Sequence, residues 1–520
     1  MRTRAHRPAL ARRLAAGSAL GFLLLLPLAA IARPGGGSSY SGGSHSYSGG
    51  SHSSSSSRSS SSGYRSSGSY SGGGGSVDDA GFSALLGIMF VTFLIILPAL
   101  KGETETRSQQ WDSDGPRSPF QASPPPRPHV PAADLGDIRE RDPDFSAVLF
   151  EDFAYALYAR AQEARSDPAA MAALAPYIAA DSRAALLRRD PSGVPIHGVV
   201  IGAMRVLRVA LNHPGKTTIQ VELEFEANYS AALEHGPQGY FIHERWILER
   251  EANVHTRAPA GVLALGCPNC GAPFRSTQEG HCAHCGQQVD GGRFDWTLTH
   301  VRALNQEWRP PALTGDVAEV GTDLPTVVAP NLPARLATFT AQDPGATTEH
   351  IERRVHAIFT ALNAGWTARD LTPARPFVSD SLYNYLSYWI TAYRAQGLRN
   401  VLRDMSISGV LFAKLTRDRH YDAITVRVFA SGFDSTVRVA DGRRVSGSDS
   451  QSRRYTEYWT LIRGAGTHGA PQDPNHCPNC GAALDRVNMA GNCEYCGTHL
   501  TRGEFDWVLA KIEQDEAYTG

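Results

Sequence analysis

The sequence predicts an α+β protein in which a set of helices followed by a curved antiparallel sheet occurs twice. Segments with helical periodicity precede alternating, β-branched segments in each of two halves. Both halves contain a related strand, "HERWILER" in the first and "TEYWTLIR" in the second. A module of four cysteines follows each of these strands and ends in Phe-Asp-Trp. Such a repeat indicates two copies of one domain within the 520 residues.

Residues 1–32 have the features of a secretory signal peptide. The basic stretch "MRTRAHRPALARR" precedes an apolar stretch from Ala19 to Ile31, and Ala30-Ile31-Ala32 has the small-x-small form of a cleavage site. A short uncleaved anchor is the alternative. The Gly/Ser tract that follows, residues 33–80, cannot bury a core and is expected to be disordered.

A transmembrane helix is predicted at residues 81–101. The nineteen residues "FSALLGIMFVTFLIILPAL" carry no charge, and as a helix they would extend about 28 Å, enough to cross a bilayer core. A buried soluble helix is the alternative, but it would normally show a polar face. Acidic residues precede the run and basic residues follow it, which places the folded part of the chain on the cytoplasmic side: Asp78, Asp79, Lys101, Arg107 and Arg117.

The remainder of the chain is predicted to contain a Pro-rich linker, the first half, a second linker and the second half, at residues 102–140, 141–308, 309–346 and 347–516. In the first half, Asp142 and Pro143 are expected to be the N-cap and first residue of a helix, and Asp167-Pro168 is expected to start another. The apolar first helix of each half is expected to face the core, with a membrane or partner surface as the alternative.

The two related strands share four residues that alternation places on one face of a strand. Each strand is expected to form a hairpin with the segment that begins at Phe-Asp-Trp, and the cysteine module is then an insertion at the tip of that hairpin. The shared pairs are Glu244 and Glu457, Trp246 and Trp459, Leu248 and Leu461, and Arg250 and Arg463.

Charge and cysteine content narrow the classes of function. Lys+Arg 50 nearly balance Asp+Glu 51, so the overall charge gives no indication of a nucleic-acid or anionic-surface partner. All eight cysteines fall into the two modules, which indicates metal or disulfide sites rather than scattered core thiols.

Each module contains two Cys-x-x-Cys-Gly pairs, separated by eleven residues in the first module and by twelve in the second. The glycine permits a tight turn, backbone N–H groups face the sulfurs, and two pairs place four thiolates in the tetrahedron that structural Zn²⁺ prefers. Four sulfur ligands leave no open position, so a catalytic zinc is not expected. We therefore predict two zinc ribbons, residues 266–290 and 476–500, each with one structural Zn²⁺. The predicted ligands are Cys267, Cys270, Cys282, Cys285, Cys477, Cys480, Cys493 and Cys496.

Other interpretations of these cysteines stay open. Iron could be held as in rubredoxin, which shares the Cys-Pro-x-Cys-Gly turn, and disulfides would require the modules to lie outside the cytoplasm. Thioredoxin-like chemistry would not require paired motifs. His281, His284 and His476 lie nearby and are expected to be surface residues, because four cysteines already complete a site.

The second half, from about Thr348 to Glu513, resembles the domain of the mitochondrial import-motor tether, the TIM forty-four-like domain. Its segments "LRNVLRDMSISGVLF", "YTEYWTLIR" and "FDWVLAKI" stand in the order of that family. The first half is similar more loosely. The resemblance implies a tandem arrangement of cone-like α+β domains of the nuclear-transport-factor-two-like superfamily. Bacterial relatives commonly combine such a domain with a signal, a Gly/Ser tract and a membrane span, which implies a location at the bacterial inner membrane.

The resulting functional prediction is a membrane-anchored, non-enzymatic scaffold that binds membrane lipid and a membrane-associated protein. The zinc modules depart from the mitochondrial pattern, and the long charged region that engages the import motor is missing, so the import-motor function is not carried over.

Two alternatives belong to other classes of function. An enzyme of the cone superfamily would use a cavity and an acid–base pair, for which the candidates are Asp422, Asp434, His420 and His243. Nucleic-acid binding through the modules is not expected, because their loops contain few basic residues: Arg275, Arg293 and Arg486.

Overall fold

The computed structural model describes residues 133–211, 217–257, 265–278, 280–308, 321–469, 475–484, 486–488 and 490–515, and the single residues 259, 313, 473, 518 and 520. The predicted signal peptide, Gly/Ser tract and transmembrane helix, and most of the first linker, lie outside the described residues. Within the part that is described, no helix is both long and apolar enough to cross a membrane.

The first half consists of short helices followed by a four-stranded antiparallel sheet with the strand order β1-β2-β3-β6. The helices α1, α2 and α3 span Ala147–Glu163, Pro168–Ala173 and Ala180–Leu187, and 3-10 helices span Leu135–Glu140 and Ala164–Ser166. The strands β1, β2, β3 and β6 span Ile196–Ala210, Thr218–Leu233, Gly236–Glu251 and Thr297–Trp308. A small sheet of β4 and β5, at Ser276–Gln278 and His281–Cys282, lies in the cysteine module.

The second half repeats this order, with a sheet of strand order β10-β9-β8-β7. The helices α4, α5 and α6 span Leu332–Gln342, Thr348–Ala368 and Asp380–Ala395, with a 3-10 helix at Thr372–Phe377. The strands β7, β8, β9 and β10 span Leu398–Arg417, Tyr421–Arg438, Arg444–Gly464 and Val508–Gln514. The predicted α+β class with antiparallel sheets is therefore confirmed, and bulges along β1 and β7 bend the sheets.

The hairpin prediction is also confirmed. β3 pairs antiparallel with β6, and β9 pairs antiparallel with β10, so each cysteine module connects the two strands of a hairpin. All four shared residues of each strand are buried: Glu244, Trp246, Leu248 and Arg250 in β3, and Glu457, Trp459, Leu461 and Arg463 in β9. In β3 the buried residues alternate strictly with more exposed ones, as expected for a strand with one face on the core.

The prediction for Asp142 and Pro143 is wrong, whereas that for Asp167 and Pro168 is right. The N-cap of α1 is Ser146, whose side chain accepts a hydrogen bond from the N–H of Leu149. Asp142 is instead buried and accepts a hydrogen bond from Arg250 of β3, which is 108 positions later in the chain. Asp167 does cap α2, with Pro168 as its first residue. An Asp-Pro pair suits a helix start, but the charged guanidinium of a buried arginine binds a carboxylate more strongly than the backbone N–H groups of a helix start do.

Both predicted linkers extend too far into the folded halves. The 3-10 helix Leu135–Glu140 lies within predicted linker 102–140 and buries Leu135 and Ile138. Helix α4 lies within predicted linker 309–346, and its buried Leu332 and Phe339 belong to the core of the second half. These two residues are seven positions apart, which is two helical turns, so they lie on one face of the helix. The Pro-rich composition of the segment concealed this helical pattern in the sequence.

Side chains fill the space between helices and sheet in the first half. Tyr158 of α1 stacks on Phe225 with ring centroids 4.4 Å apart, and its ring is 4.9 Å from that of Trp246. The apolar first helix therefore faces the core, as expected. In the second half, α5 likewise buries Ile351, Val355 and further apolar residues along its length.

The two halves contact each other through α1. Leu149 on this helix packs with Tyr421, Ile462 and Val508 of the second half. Ion pairs flank this apolar cluster: Arg419 with Asp144 at 2.6 Å and Lys511 with Glu151 at 3.6 Å. We call this contact the α1 interface. Because it joins one half to the sheet of the other, the halves are not independent units on a flexible connection.

Candidate metal centres

Each module brings its four cysteine sulfurs into one group. Within each set of four, all sulfurs lie within 4.8 Å of one another. In the first module the sulfurs of Cys267 and Cys285 lie 3.8 Å apart and those of Cys270 and Cys282 lie 4.0 Å apart. In the second module the corresponding pairs are Cys477–Cys496 at 3.8 Å and Cys480–Cys493 at 3.9 Å. All eight are free thiols, so the structure contains none of the disulfides considered from the sequence.

These distances fit a tetrahedral metal site. An ion about 2.3 Å from each of four tetrahedrally placed sulfurs holds the sulfurs about 3.8 Å apart. Among the described residues, two groups could hold a metal, and each consists of four cysteines and no other residue. The neighbouring histidines are not part of them, and Nδ1 of His476 instead lies 2.7 Å from Asp473 Oδ2.

The turn predicted for each Cys-x-x-Cys-Gly pair is confirmed. The glycines at the ends of the four pairs have φ between 71° and 74°, the left-handed region that a residue with a side chain rarely adopts: Gly271, Gly286, Gly481 and Gly497. Each of these glycines donates its N–H to the carbonyl of the first cysteine of its pair at 2.8 Å. This conformation turns both sulfurs of a pair towards the same point.

An asparagine in each module reaches across to the last cysteine. Asn269 Nδ2 donates to Cys285 Sγ at 3.4 Å, and Asn479 Nδ2 donates to Cys496 Sγ at 3.5 Å. The hydrogen bond from Asn269 is the main reason that the pKa of Cys285 is lowered to about 6. Burial, in contrast, raises the pKa of Cys267 to about 12. A bound cation is what would keep such a buried sulfur in the thiolate form.

The base of each module is held by an aspartate, an arginine and a tryptophan, which we call the clasp. In the first half Arg250 Nη2 lies 2.9 Å from Asp142 Oδ2, and the guanidinium is 4.6 Å from the ring centroid of Trp296. In the second half Arg463 lies 2.9 Å from Asp343 and 4.6 Å from the ring centroid of Trp507. The tryptophan of Phe-Asp-Trp therefore covers the arginine at the end of the preceding strand.

The aspartate of Phe-Asp-Trp has a separate partner in each half. Asp295 accepts a hydrogen bond from Arg257 Nε at 3.0 Å. Asp506 Oδ2 lies 3.2 Å from Arg354 Nη1 on α5. Both tryptophans are almost completely buried. Phe-Asp-Trp recurs because it fixes the point at which the chain returns from the module to the sheet.

Sequence reasoning missed further members of this repeated group. A glycine two residues before each Phe-Asp-Trp approaches the backbone of the clasp strand: Gly292 (φ 79°) at Arg250 and Gly503 (φ 76°) at Arg463. The N–H of Glu251 donates to Gly292 O at 2.9 Å, and the N–H of Gly464 to Gly503 O at 2.8 Å. The repeated Gly-x-Phe-Asp-Trp was a signal that could have revealed this approach.

A histidine five residues after each clasp arginine also repeats. Nδ1 of His255 lies 3.2 Å from Asp142 Oδ1, and Nδ1 of His468 lies 3.9 Å from Asp343 Oδ2. The residue after each histidine donates its backbone N–H to the same aspartate, at 2.9 Å in both halves. The clasp aspartate therefore also fixes the start of the loop that leads into the module.

Three of the four candidates for an acid–base pair are each paired with another side chain. Asp422 is buried and pairs with Arg417 at 2.6 Å and with the clasp arginine Arg463 at 3.3 Å. Asp434 accepts a hydrogen bond from Asn400 at 2.6 Å. His243 belongs to the first half, where it lies 3.3 Å from Glu224. His420 donates its backbone N–H to Asp418 at 2.8 Å.

An open groove of about 330 Å³ lies between α5 and β7 of the second half. Its lining is mixed, and none of the four acid–base candidates contributes to it: the lining residues include Phe359, Asn363, Thr367, Arg399, Leu402 and Met405. The groove therefore lacks the charged pair that general acid–base chemistry would need among its lining residues.

Comparison with protein families identifies part of the second half. Residues 333–475 match the Tim44-like domain. The match begins in α4 and ends just before Cys477, so it contains α5, α6 and strands β7 to β9 but not the second cysteine module. This agrees with the resemblance seen in the sequence of the second half. A comparison with curated proteins gave no match.

The match covers most of the second half but not its last strand. The segment of the Tim44-like domain carries the helices and the strand with the clasp arginine Arg463, whereas the module and the return strand β10 follow after it. The first half lies outside the match, although it has the same order of helices and strands and the same clasp. In both halves the cysteine module stands between the last two strands of the sheet.

Proposed function

We propose that this protein is a membrane-anchored, non-enzymatic scaffold whose two halves are tandem Tim44-like domains, each stiffened by one structural zinc ion. The observation that carries the metal assignment is the four-sulfur geometry, because two Cys-x-x-Cys-Gly turns converge to sulfur distances of 3.8 to 4.0 Å in each half. Four sulfur ligands fill a tetrahedral zinc site and leave no position for a substrate or an activated water.

The scaffold role is supported by the match to a Tim44-like domain at residues 333–475 and by the way the modules are attached. Buried clasps hold the strand that leads into each module and the tryptophan at which the chain returns from it, so each module is attached to its domain at both ends. The predicted transmembrane helix at residues 81–101, whose nonpolar run is Phe82 to Leu100, would anchor the chain in the inner membrane of a bacterium, with both halves on the cytoplasmic side. The expected partners are membrane lipid and a membrane-associated protein.

Metal analysis of the purified chain tests the zinc assignment. Elemental analysis should find about two zinc ions per chain, one for each four-sulfur group. Replacing the first pair of one module by serine, Cys267→Ser with Cys270→Ser, should remove one ion and leave the other. Iron in place of zinc, with its visible absorption, would identify a rubredoxin-like centre, and a chain without metal would contradict the assignment.

Crosslinking in intact membranes tests the scaffold role. The full chain should be recovered in the membrane fraction and should crosslink to a defined membrane-associated protein in a manner that the module variants weaken. Co-purification of a small metabolite, with no associated protein or lipid, would contradict the proposal and favour the cavity-based alternative.

A further inference from the structure

The second cysteine module contacts the body of its domain through the segment that leaves it. We call residues 499–505 the exit segment. Thr501 is almost completely buried, and its hydroxyl donates to Asp380 Oδ1 at 2.8 Å, at the start of α6. His499 Nε2 lies 3.5 Å from Asp380 Oδ2. The path of the exit segment is therefore fixed by one carboxylate of the domain body.

A buried arginine ties the interior of the module to the same carboxylate. Arg375 forms an ion pair with Asp380, and its guanidinium carbon lies 4.5 Å from the ring centroid of Tyr383. The module backbone approaches this arginine so closely at Gly491 that an added Cβ would lie 2.7 Å from Arg375 Nη2. Since Gly491 is only two residues before the metal-site residue Cys493, the metal-site turn and the domain body are in direct contact.

The exit segment also faces the first half. Burial and the charges of Glu151 and Asp380 raise the pKa of Asp152 on α1 to about 7, and the positive charge of Arg502 opposes this rise. The charge of Arg502 in the exit segment therefore favours the charged form of a carboxylate on α1 that its other neighbours destabilise.

The chain then enters β10, which forms part of the α1 interface. Val508 packs with Leu149, and Lys511 lies 3.6 Å from Glu151. The sequence from the last metal-site cysteine to the α1 interface is short, twelve residues from Cys496 to Val508. Any disorder of the module would therefore loosen the start of the strand on which α1 rests.

We propose that metal binding in the second cysteine module completes the surface on which α1 of the first half docks. The metal fixes the exit segment, Asp380 holds it against the domain body, and β10, which follows it, then meets α1. This inference rests on the proposed metal function. The first module gives a matched control, because its buried contacts go to Tyr177 and Ala175 of its own half.

A zero-length crosslink measures docking directly. A carbodiimide joins Lys511 to Glu151 across the interface, and the same lysine lies 3.8 Å from Glu513 on its own strand. The ratio of the two crosslinked peptides corrects for the reactivity of the lysine. Assignment by mass spectrometry is simple because the chain has four lysines, Lys101, Lys216, Lys414 and Lys511.

The decisive comparison uses two double variants of the full chain. Cys493→Ser with Cys496→Ser should lower the ratio of interface to same-strand crosslink about fivefold or more, the lower range of coupling between sites in proteins. Cys282→Ser with Cys285→Ser, in the first module, should leave the ratio within about twofold. An unchanged ratio after loss of the second metal, or an equal fall in both variants, would overturn the proposal.

A third variant guards against misfolding of the second module. Thr501→Val keeps all eight cysteines and removes only the hydrogen bond to Asp380, so it should retain both metal ions and still lower the crosslink ratio. Full metal content with an unchanged ratio would overturn the coupling while leaving the metal assignment intact. A wild-type chain without metal that still gives a strong crosslink would overturn both.

Discussion

Replacing the clasp arginine of the second half, Arg463→Met, should destabilise that half strongly. Nη2 of Arg463 lies 2.9 Å from Asp343 and 3.3 Å from Asp422, and all three side chains are buried. Methionine has a similar length but no charge. Asp343 would keep the hydrogen bond from the N–H of Gly469 and Asp422 its ion pair with Arg417, but the two buried carboxylates would remain close together with one cation fewer. Removing one partner of a buried ion pair costs about 3–5 kcal/mol.

The corresponding change in the first half, Arg250→Met, should cost less. Asp142 would keep a hydrogen bond from the N–H of Thr256 at 2.9 Å and another from its hydroxyl at 2.6 Å. Although burial works in the opposite direction, the Thr256 hydroxyl and the charge of Arg250 lower the pKa of Asp142, so its carboxylate is already stabilised by two sources. The expected cost is about 1–3 kcal/mol.

Hydrogen exchange followed by mass spectrometry measures both changes within the full chain. A loss of about 3 kcal/mol corresponds to exchange roughly a hundredfold faster in peptides from β9 and β10. Arg353→Met on the exposed side of α5 is the matched control and should leave these peptides within about twofold. Equal exchange in the wild type and in Arg463→Met would refute the clasp as a source of stability.

Three further predictions concern the module, the interface and the turn before the clasp. Asn269→Ala should weaken metal binding in the first module about 10–100-fold, measured by competition with a chromophoric chelator, with the unaltered second module as internal reference; equal release from both modules would contradict it. Because the pKa of Asp152 is raised to about 7, the docked halves favour its protonated form. Their stability should thus fall as pH rises from about 4 to about 7 and level off above 7, and Asp152→Asn should flatten this change in melting temperature. Gly503→Ala forces a side chain into φ 76° and places Cβ 2.9 Å from Arg463 Cα, so it should cost about 1–3 kcal/mol by thermal unfolding; an unchanged melting temperature would show that the turn can relax.

Features encoded by neighbouring residues could be predicted from the sequence. Each Cys-x-x-Cys-Gly turn depends on five consecutive residues, so both the grouping of the cysteines and the left-handed glycines followed from the motif. The strands around Trp246 and Trp459 were visible because alternation alone places their shared residues on the core face. The hairpin followed from the repeat, since a module inserted twice between the same two segments must connect neighbouring strands.

Contacts between distant residues were decided by the tertiary structure. Asp142 and Arg250 are 108 positions apart, and the local Asp-Pro signal gave the aspartate a different role. The helix around Phe339 was hidden by a Pro-rich segment and became recognisable only through the core that it completes. The α1 interface has no local signature at all.

The sequence by itself therefore determined two sulfur sites and the strands that carry them, because a ligand and its turn lie within a few residues of each other. Only the tertiary structure decided how Arg250 and Arg463 are paired, and that Leu149 joins one half to the sheet of the other. Burial makes the loss of any of these partners costly, since it would leave an unpaired buried charge or an exposed apolar face. The partners are far apart in the sequence, so only folding brings them together.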